Sequence, residues 1–259
     1  MAENKSAFPT EELSLPSKGL LYPEDSPLSS GTIEVKYMTA KEEDILTSTN
    51  LIEKGLVIDR LLESVIANPK VKLDDLLLGD KNALMLGTRV LGYGSEYTVN
   101  LTDPDTGLET EHTFDLSKLE FKEIDYKQLE SGENNFEYTL PKSGRVLTFK
   151  LFTSKDESEI EEVLKGYEKI NAINGVSPEL TTRLKKQITS VDGKTDKKTI
   201  NNFVDNEFLA LDTREFRKYV GSISPDIVFE TEYISQIGEP HTVSIPLGVR
   251  FFWPESTIS

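Results

Sequence analysis

The sequence predicts an α+β fold in which a helical body carries two β-hairpins. Three observations lead there. Apolar residues recur at helical spacing in two separate blocks. Two stretches of alternating polar and apolar residues flank strong turn signatures. The order of units (helices, hairpin, strands, helices, hairpin) never repeats as strand–helix–strand, so it argues against a parallel sheet.

Taken in order, residues 1–31 read as an extended, irregular arm, because Pro9, Pro16, Pro23 and Pro27 break any helix. Leu13, Leu15, Leu20, Leu21 and Tyr22 would anchor that arm on a surface. Ile33, Val35 and Tyr37 alternate and predict a strand. A first helical block over 32–95 opens on the capping-box spacing of Thr39 and Glu42. Gly55 interrupts it, Asp59 is placed to cap a helix bearing Leu61, Leu62, Val65 and Ile66, and Asn68-Pro69 ends that helix. A third helix is expected from Asp80 to about Leu91, stopped by Gly92 and Gly94.

Residues 96–152 hold the first hairpin, with Tyr97, Val99 and Leu101 facing His112, Phe114 and Leu116 across Asp103-Pro104-Asp105-Thr106-Gly107. Strands are expected at 136–140 and 146–152. The second helical block, 153–222, opens on Ser154 and Glu157 as a capping box. Its stripe of Ile160, Val163, Leu164, Tyr167 and Ile170 has helical periodicity. Ser177-Pro178 opens a helix with Leu180, Leu184 and Ile188. Further helices carry Ile200, Phe203, Val204 and Phe208, then Asp212, Glu215, Phe216, Tyr219 and Val220. Residues 223–259 form the second hairpin and an aromatic tail, packing with 96–118.

Composition bounds the function. The 259-residue chain carries 45 acidic and 29 basic residues, a net charge of −16, which repels phosphate backbones and anionic membranes. No nucleic acid or membrane partner is therefore expected. With no cysteine there is no disulfide, thiolate catalysis or cysteine-held zinc. No apolar run approaches the roughly 18 residues of a membrane span, and Met1 to Lys5 lacks an apolar signal core, so a cytoplasm or a particle assembled there is the expected setting.

Few motifs offer chemistry. Gly92-Tyr93-Gly94 resembles half a phosphate loop, but it follows a helix and reads as a helix stop. Asp74-Asp75 and Glu161-Glu162 are adjacent carboxylates of the kind any chain this acidic carries on a solvated surface. His112 and His241 each lie just past a hairpin turn, too few for a metal site of three or four ligands. Residues 177–200 hold six basic residues against three acidic ones, so Arg183, Lys185 and Lys186 belong either to a solvated helix face or to a docking patch for an acidic partner. Phe251, Phe252 and Trp253 are adjacent aromatics, divided between core and interface.

Several stretches together resemble the T4-like bacteriophage baseplate hub family. They are Leu15-Pro16-Ser17-Lys18-Gly19, Met38 to Asp44, the run from Asp74 to Tyr97, Thr113-Phe114-Asp115-Leu116, Leu140-Pro141, Ile245-Pro246-Leu247 and Phe251 to Pro254. The resemblance implies a non-enzymatic structural subunit of the central hub of a contractile tail baseplate, located in the virion and acting on other hub proteins. It implies no cofactor, no small-molecule substrate and no catalytic residue. A hub assembly chaperone that leaves before completion is the alternative, and a carboxylate-based hydrolase the distant one. Leu15, Leu20, Tyr22, Arg183, Lys185, Lys186, Phe251, Phe252 and Trp253 are the candidate partner-binding residues.

Many relatives look as though they carry Cys-Pro-x-Cys-Gly and Cys-x-x-Cys-Gly knuckles in the two hairpins, a spacing that suits structural zinc. Here Asp103 to Gly107 and Ile234 to Gly238 stand in their place. The two hairpins are accordingly expected to form a small metal-free, zinc-ribbon-like module held by side-chain packing.

Overall fold

Strand β1 (Thr10–Ser14) pairs antiparallel with β2 (Thr32–Lys36), Leu13 opposite Ile33, so the segment read as an irregular arm is in part a strand. Its prolines bound the strand instead of breaking it: Pro9 precedes β1, and Pro27 opens a short 3-10 turn capped by Ser26. Leu15, Leu21, Tyr22 and Leu28 are buried, which makes the arm part of the core. The computed structural model describes residues 9–129, 132–171 and 177–252.

Helices α1 (Ala40–Leu46), α2 (Thr49–Lys54) and α3 (Val57–Val65) follow. Thr39 and Glu42 form the expected capping box, and Gly55 ends α2 in the left-handed region at φ 70°. Asp59 is not a cap: α3 begins two residues before it, and its carboxylate pairs with Lys81 at 2.6 Å. Leu61, Leu62 and Val65 bury the inner face of α3.

Helix α4 (Leu78–Tyr93) is the centre of the packing. Gly92 lies inside it, and Gly94 alone ends it. A Cβ at Gly79 would stand 1.9 Å from the Pro225 carbonyl oxygen, so that approach needs a bare backbone, whereas one at Gly87 would stand 2.2 Å from the end of the Leu13 side chain, which would have to move aside. Just before α4, the Leu78 N–H donates to the Phe152 carbonyl at 3.0 Å and the Leu76 carbonyl accepts from Ser154 N–H at 2.7 Å.

The first hairpin is β3 (Glu96–Thr102) against β4 (Glu109–Asp115), with Tyr97 opposite Phe114 and Val99 opposite His112, as the alternation predicts. Strands β5 (Phe136–Thr139) and β6 (Val146–Phe149) are joined by an unforeseen β7 (Ile188–Val191) in the order β5-β6-β7. Ile188 falls in phase with the preceding helical stripe, but Ile-Thr-Ser-Val is β-rich and the helix stops before it.

Helix α5 (Ser154–Asn171) is capped one residue earlier than expected. Thr153 Oγ1 accepts from the Asp156 N–H at 3.3 Å, and Asp156 Oδ2 accepts from the Thr153 N–H at 3.2 Å. Helix α6 (Glu179–Gln187) has Pro178, not Ser177, at its N-cap. Asp196 caps α7 (Lys197–Asn202), which continues into a π-turn over Phe203–Glu207, leaving Phe208 outside any helix. Helix α8 (Ala210–Ile223) begins before Asp212, whose carboxylate instead accepts the Lys142 and Ser143 N–H groups at 2.7 and 3.0 Å. Through Phe149–Phe216 and Tyr138–Tyr219 ring contacts at 5.1 and 4.5 Å, α8 packs on the three-stranded sheet.

The second hairpin, β8 (Glu230–Ile234) with β9 (Pro240–Ser244), precedes a short helical turn, α9 (Val249–Phe252). One continuous apolar cluster runs from Leu15 to Phe252 and joins the N-terminal segment, α3, α4, the three-stranded sheet, α8 and α9, while α5 contributes none of its members among the described residues.

Candidate partner-binding surfaces

Asp80 is fully buried near the start of α4 and joins two of the stretches that carry the resemblance. Ser17 donates to it from its N–H at 2.9 Å and its hydroxyl at 2.6 Å, and the Tyr22 hydroxyl donates at 2.5 Å. The Tyr22 oxygen in turn accepts the Leu77 N–H at 2.9 Å. Burial pushes the Asp80 carboxyl above the usual range, against the pull of those three donors. Tyr22 is likewise pushed far up by burial and by Asp80. Leu15 and Tyr22 are therefore spent on the core, and Leu20 is half-buried against it. The reading of Leu15 and Tyr22 as partner anchors is corrected: the prolines dictate an irregular path, but there that path runs over α4 and is covered, whereas Leu20 keeps part of its surface exposed.

The aromatic tail meets the same helix. Phe251 and Phe252 have no exposed surface, so their role is core packing, not an interface. Arg89, 3% exposed on α4, donates from Nε to the Phe251 carbonyl at 2.9 Å and from its two terminal nitrogens to the Gly94 and Glu96 carbonyls at 2.8 and 3.1 Å. Burial lowers its guanidinium from the ordinary value. No signal short of the fold itself could have paired Arg89 with Phe251. Trp253 lies outside the described residues.

At the far tip the two hairpin turns touch. Asp103 Oδ1 accepts the Asp105 and Thr106 N–H groups at 2.9 and 3.0 Å, while Oδ2 accepts the Gln236 N–H of the other turn at 2.9 Å. These bonds, the one to Gln236 foremost, hold its carboxyl below the usual range. His241 Nε2 lies 2.8 Å from Asp105 Oδ2, and the Tyr233 ring sits beside both histidine rings, 4.6 Å from His112 and 5.7 Å from His241. The hairpins stay separate two-stranded sheets. Among the described residues no cluster of three or more His, Asp or Glu side chains could hold a metal ion. Leu108, Ile234 and Ile237 are exposed around this tip.

The basic segment divides into two parts. Arg183 forms a bidentate pair with Glu157 at 2.7 and 2.6 Å, Lys185 pairs with Asp205 at 2.6 Å, and Lys186 bridges Asp156 and Glu159. Asp156 also pairs with Lys150 at 2.7 Å; burial pushes its carboxyl up, but the two lysines and the Thr153 N–H together hold it below the usual range. Lys197 and Lys198, on the first turn of α7, are exposed and make no ion pair among the described residues. Beside them, Val163 and Tyr167 of α5 are 47% and 42% exposed, although Ile160 on the same stripe is buried. The periodicity that predicted the helix also predicted burial of these two side chains, and there the structure differs. The carboxylates of Asp74, Asp75, Glu161 and Glu162 are on exposed residues.

The family model for T4 bacteriophage base plate protein matches residues 14–206. The chain belongs to that family. The match takes in Ser17, Asp80 and the whole of α4, so the buried latch lies inside the shared region, while β8, β9 and α9 lie beyond it. No curated protein and no solved structure matches the chain significantly. A base plate protein has a structural role in the virion tail and meets other baseplate proteins there. Among the described residues no helix is long and apolar enough to cross a membrane.

Proposed function

We propose that this base plate protein is a non-enzymatic structural subunit of the central hub of a contractile tail, acting through contacts with other hub proteins. The observation that carries the reading is the run from Asp74 to Tyr97, the most specific of the hub-like stretches, which folds into the segment that organises the core. Exposed apolar side chains on α5 and at the hairpin tip supply contact area beyond that core. The paired hairpins act as a metal-free counterpart of a zinc-ribbon-like module; support comes from Asp103, which gathers backbone N–H groups from both turns.

The strong negative charge favours a second reading, a hub assembly chaperone that masks a basic partner surface and departs. Quantitative mass spectrometry separates the two. A hub subunit appears at fixed stoichiometry in purified virions. A chaperone appears on hub intermediates but not in virions. Absence from both rejects the hub reading.

A further inference from the structure

The exposed half of α5 forms one wall of a groove of about 560 Å³, closed on the other side by α6, β7 and α7. Its apolar floor is Ile160, Val163, Tyr167, Ile188 and Ile200. Ile160, Val163 and Tyr167 stand at i, i+3 and i+7 and span roughly 10 Å, about two helical turns. The groove's charged lining is three lysines, Lys185, Lys186 and Lys197, against one glutamate, Glu159. In a chain of net charge −16 this is a local reversal of sign. Lys185 and Lys186 are already held by acidic neighbours, whereas Lys197 and the adjacent Lys198 make no ion pair among the described residues.

We propose that this groove binds an amphipathic helix with an acidic edge, carried by a different protein. Its apolar face would cover Val163 and Tyr167, and its carboxylates would meet Lys197, the lysine of the groove lining that makes no ion pair among the described residues. In helix-in-groove recognition the bound helix supplies apolar anchors at i, i+3 or i+4 and i+7, and the row of Ile160, Val163 and Tyr167 gives them an apolar surface of about two turns. The basic edge supplies orientation and association rate more than affinity. A second copy of this chain is the weaker occupant, because two chains of the same large negative charge repel. The groove lies on elements remote from the hairpin tip and does not depend on the hub reading.

The test uses the full chain with a photo-crosslinking phenylalanine analogue at Val163, expressed in infected cells, and mass spectrometric sequencing of the cross-linked peptide. Leu211, an exposed apolar residue of α8, is the control position. The expected product is one peptide of another protein, net negative, with apolar residues at helical spacing. Charge reversal by K197E, at an exposed position where glutamate also suits a helix N-terminus, should lower its yield about fivefold while circular dichroism stays unchanged, whereas K198E, outside the groove lining, should lower it less. Tyr167→Asp should lower it as well, without touching the lysines. A peptide from a second copy, a basic peptide, an alternating strand-like peptide, a yield unmoved by charge reversal, or labelling no stronger at Val163 than at Leu211 each overturns the proposal. An acidic helix from a protein outside the tail would support the groove inference, while the hub reading stands or falls separately on the mass spectrometry of virions.

Discussion

Asp103 does at the hairpin tip what a bridging ligand would do, drawing N–H groups of two turns onto one carboxylate. Its carboxyl is depressed in the folded chain, so it contributes stability above the ordinary aspartate value of about 3.9 and loses it as pH falls through the lower folded value. Asp103→Asn should lower Tm at neutral pH, and the gap to the parent should narrow in melts taken progressively below about pH 4. A gap independent of pH would mean the carboxylate charge is not what the turns hold. Asp80 has the opposite sign: raised by burial, it contributes most in acid and loses that contribution as pH rises through its folded value. Arg89 is a different case, a buried charge satisfied by three carbonyls and, among the described residues, by no carboxylate. Arg89→Ala strands those carbonyls and should cost roughly 3 kcal/mol in urea unfolding, while Arg89→Lys, lacking the fork, should recover only part.

At the scale of elements, α4 is set by how closely its neighbours approach. Gly79→Ala places a methyl against Pro225 backbone and should destabilise by about 1–3 kcal/mol. Gly166→Ala, on the exposed face of α5 with nothing within 4 Å, should instead stabilise by about 0.5–1 kcal/mol, because only the helix propensity changes. Equal effects at the two glycines in denaturant titrations would contradict the packing described around α4. The same elements show what a sequence makes legible. The Thr39–Glu42 box and the β3–β4 register were readable because each depends on neighbours within a few residues. The caps of α5 and α6 were misplaced by one residue, since Thr153 and Ser154 are chemically alike and only the fold decides which turns inward. Strand β7 escaped because its pairing partner lies 42 residues earlier, Thr148 standing opposite Ser190. The groove was half legible: its lysines stood out in the sequence, but the failure of α5 to bury Val163 is a tertiary fact.

Across the whole molecule, one apolar cluster draws in both ends of the described chain, so the arm cannot be removed as a surface attachment. Removing residues 1–20 takes away β1, Leu15 and the Ser17 donors of buried Asp80, and should abolish cooperative unfolding by circular dichroism, not merely weaken assembly. A sharp transition near the parental Tm in that variant would restore the arm to the surface. The Arg89–Phe251 contact extends this to how the protein is made. The two residues stand 162 positions apart. On a ribosome adding about 5–20 residues per second, the carbonyl that Arg89 needs is synthesised roughly 8–30 s after the guanidinium itself. Until then a nascent chain holds α4 with one of the three acceptors of Arg89 missing and an uncovered flank. A copy broken off before Phe251 lacks that acceptor and the cover of α9 over α4, and is expected to be digested faster than the full chain in limited proteolysis.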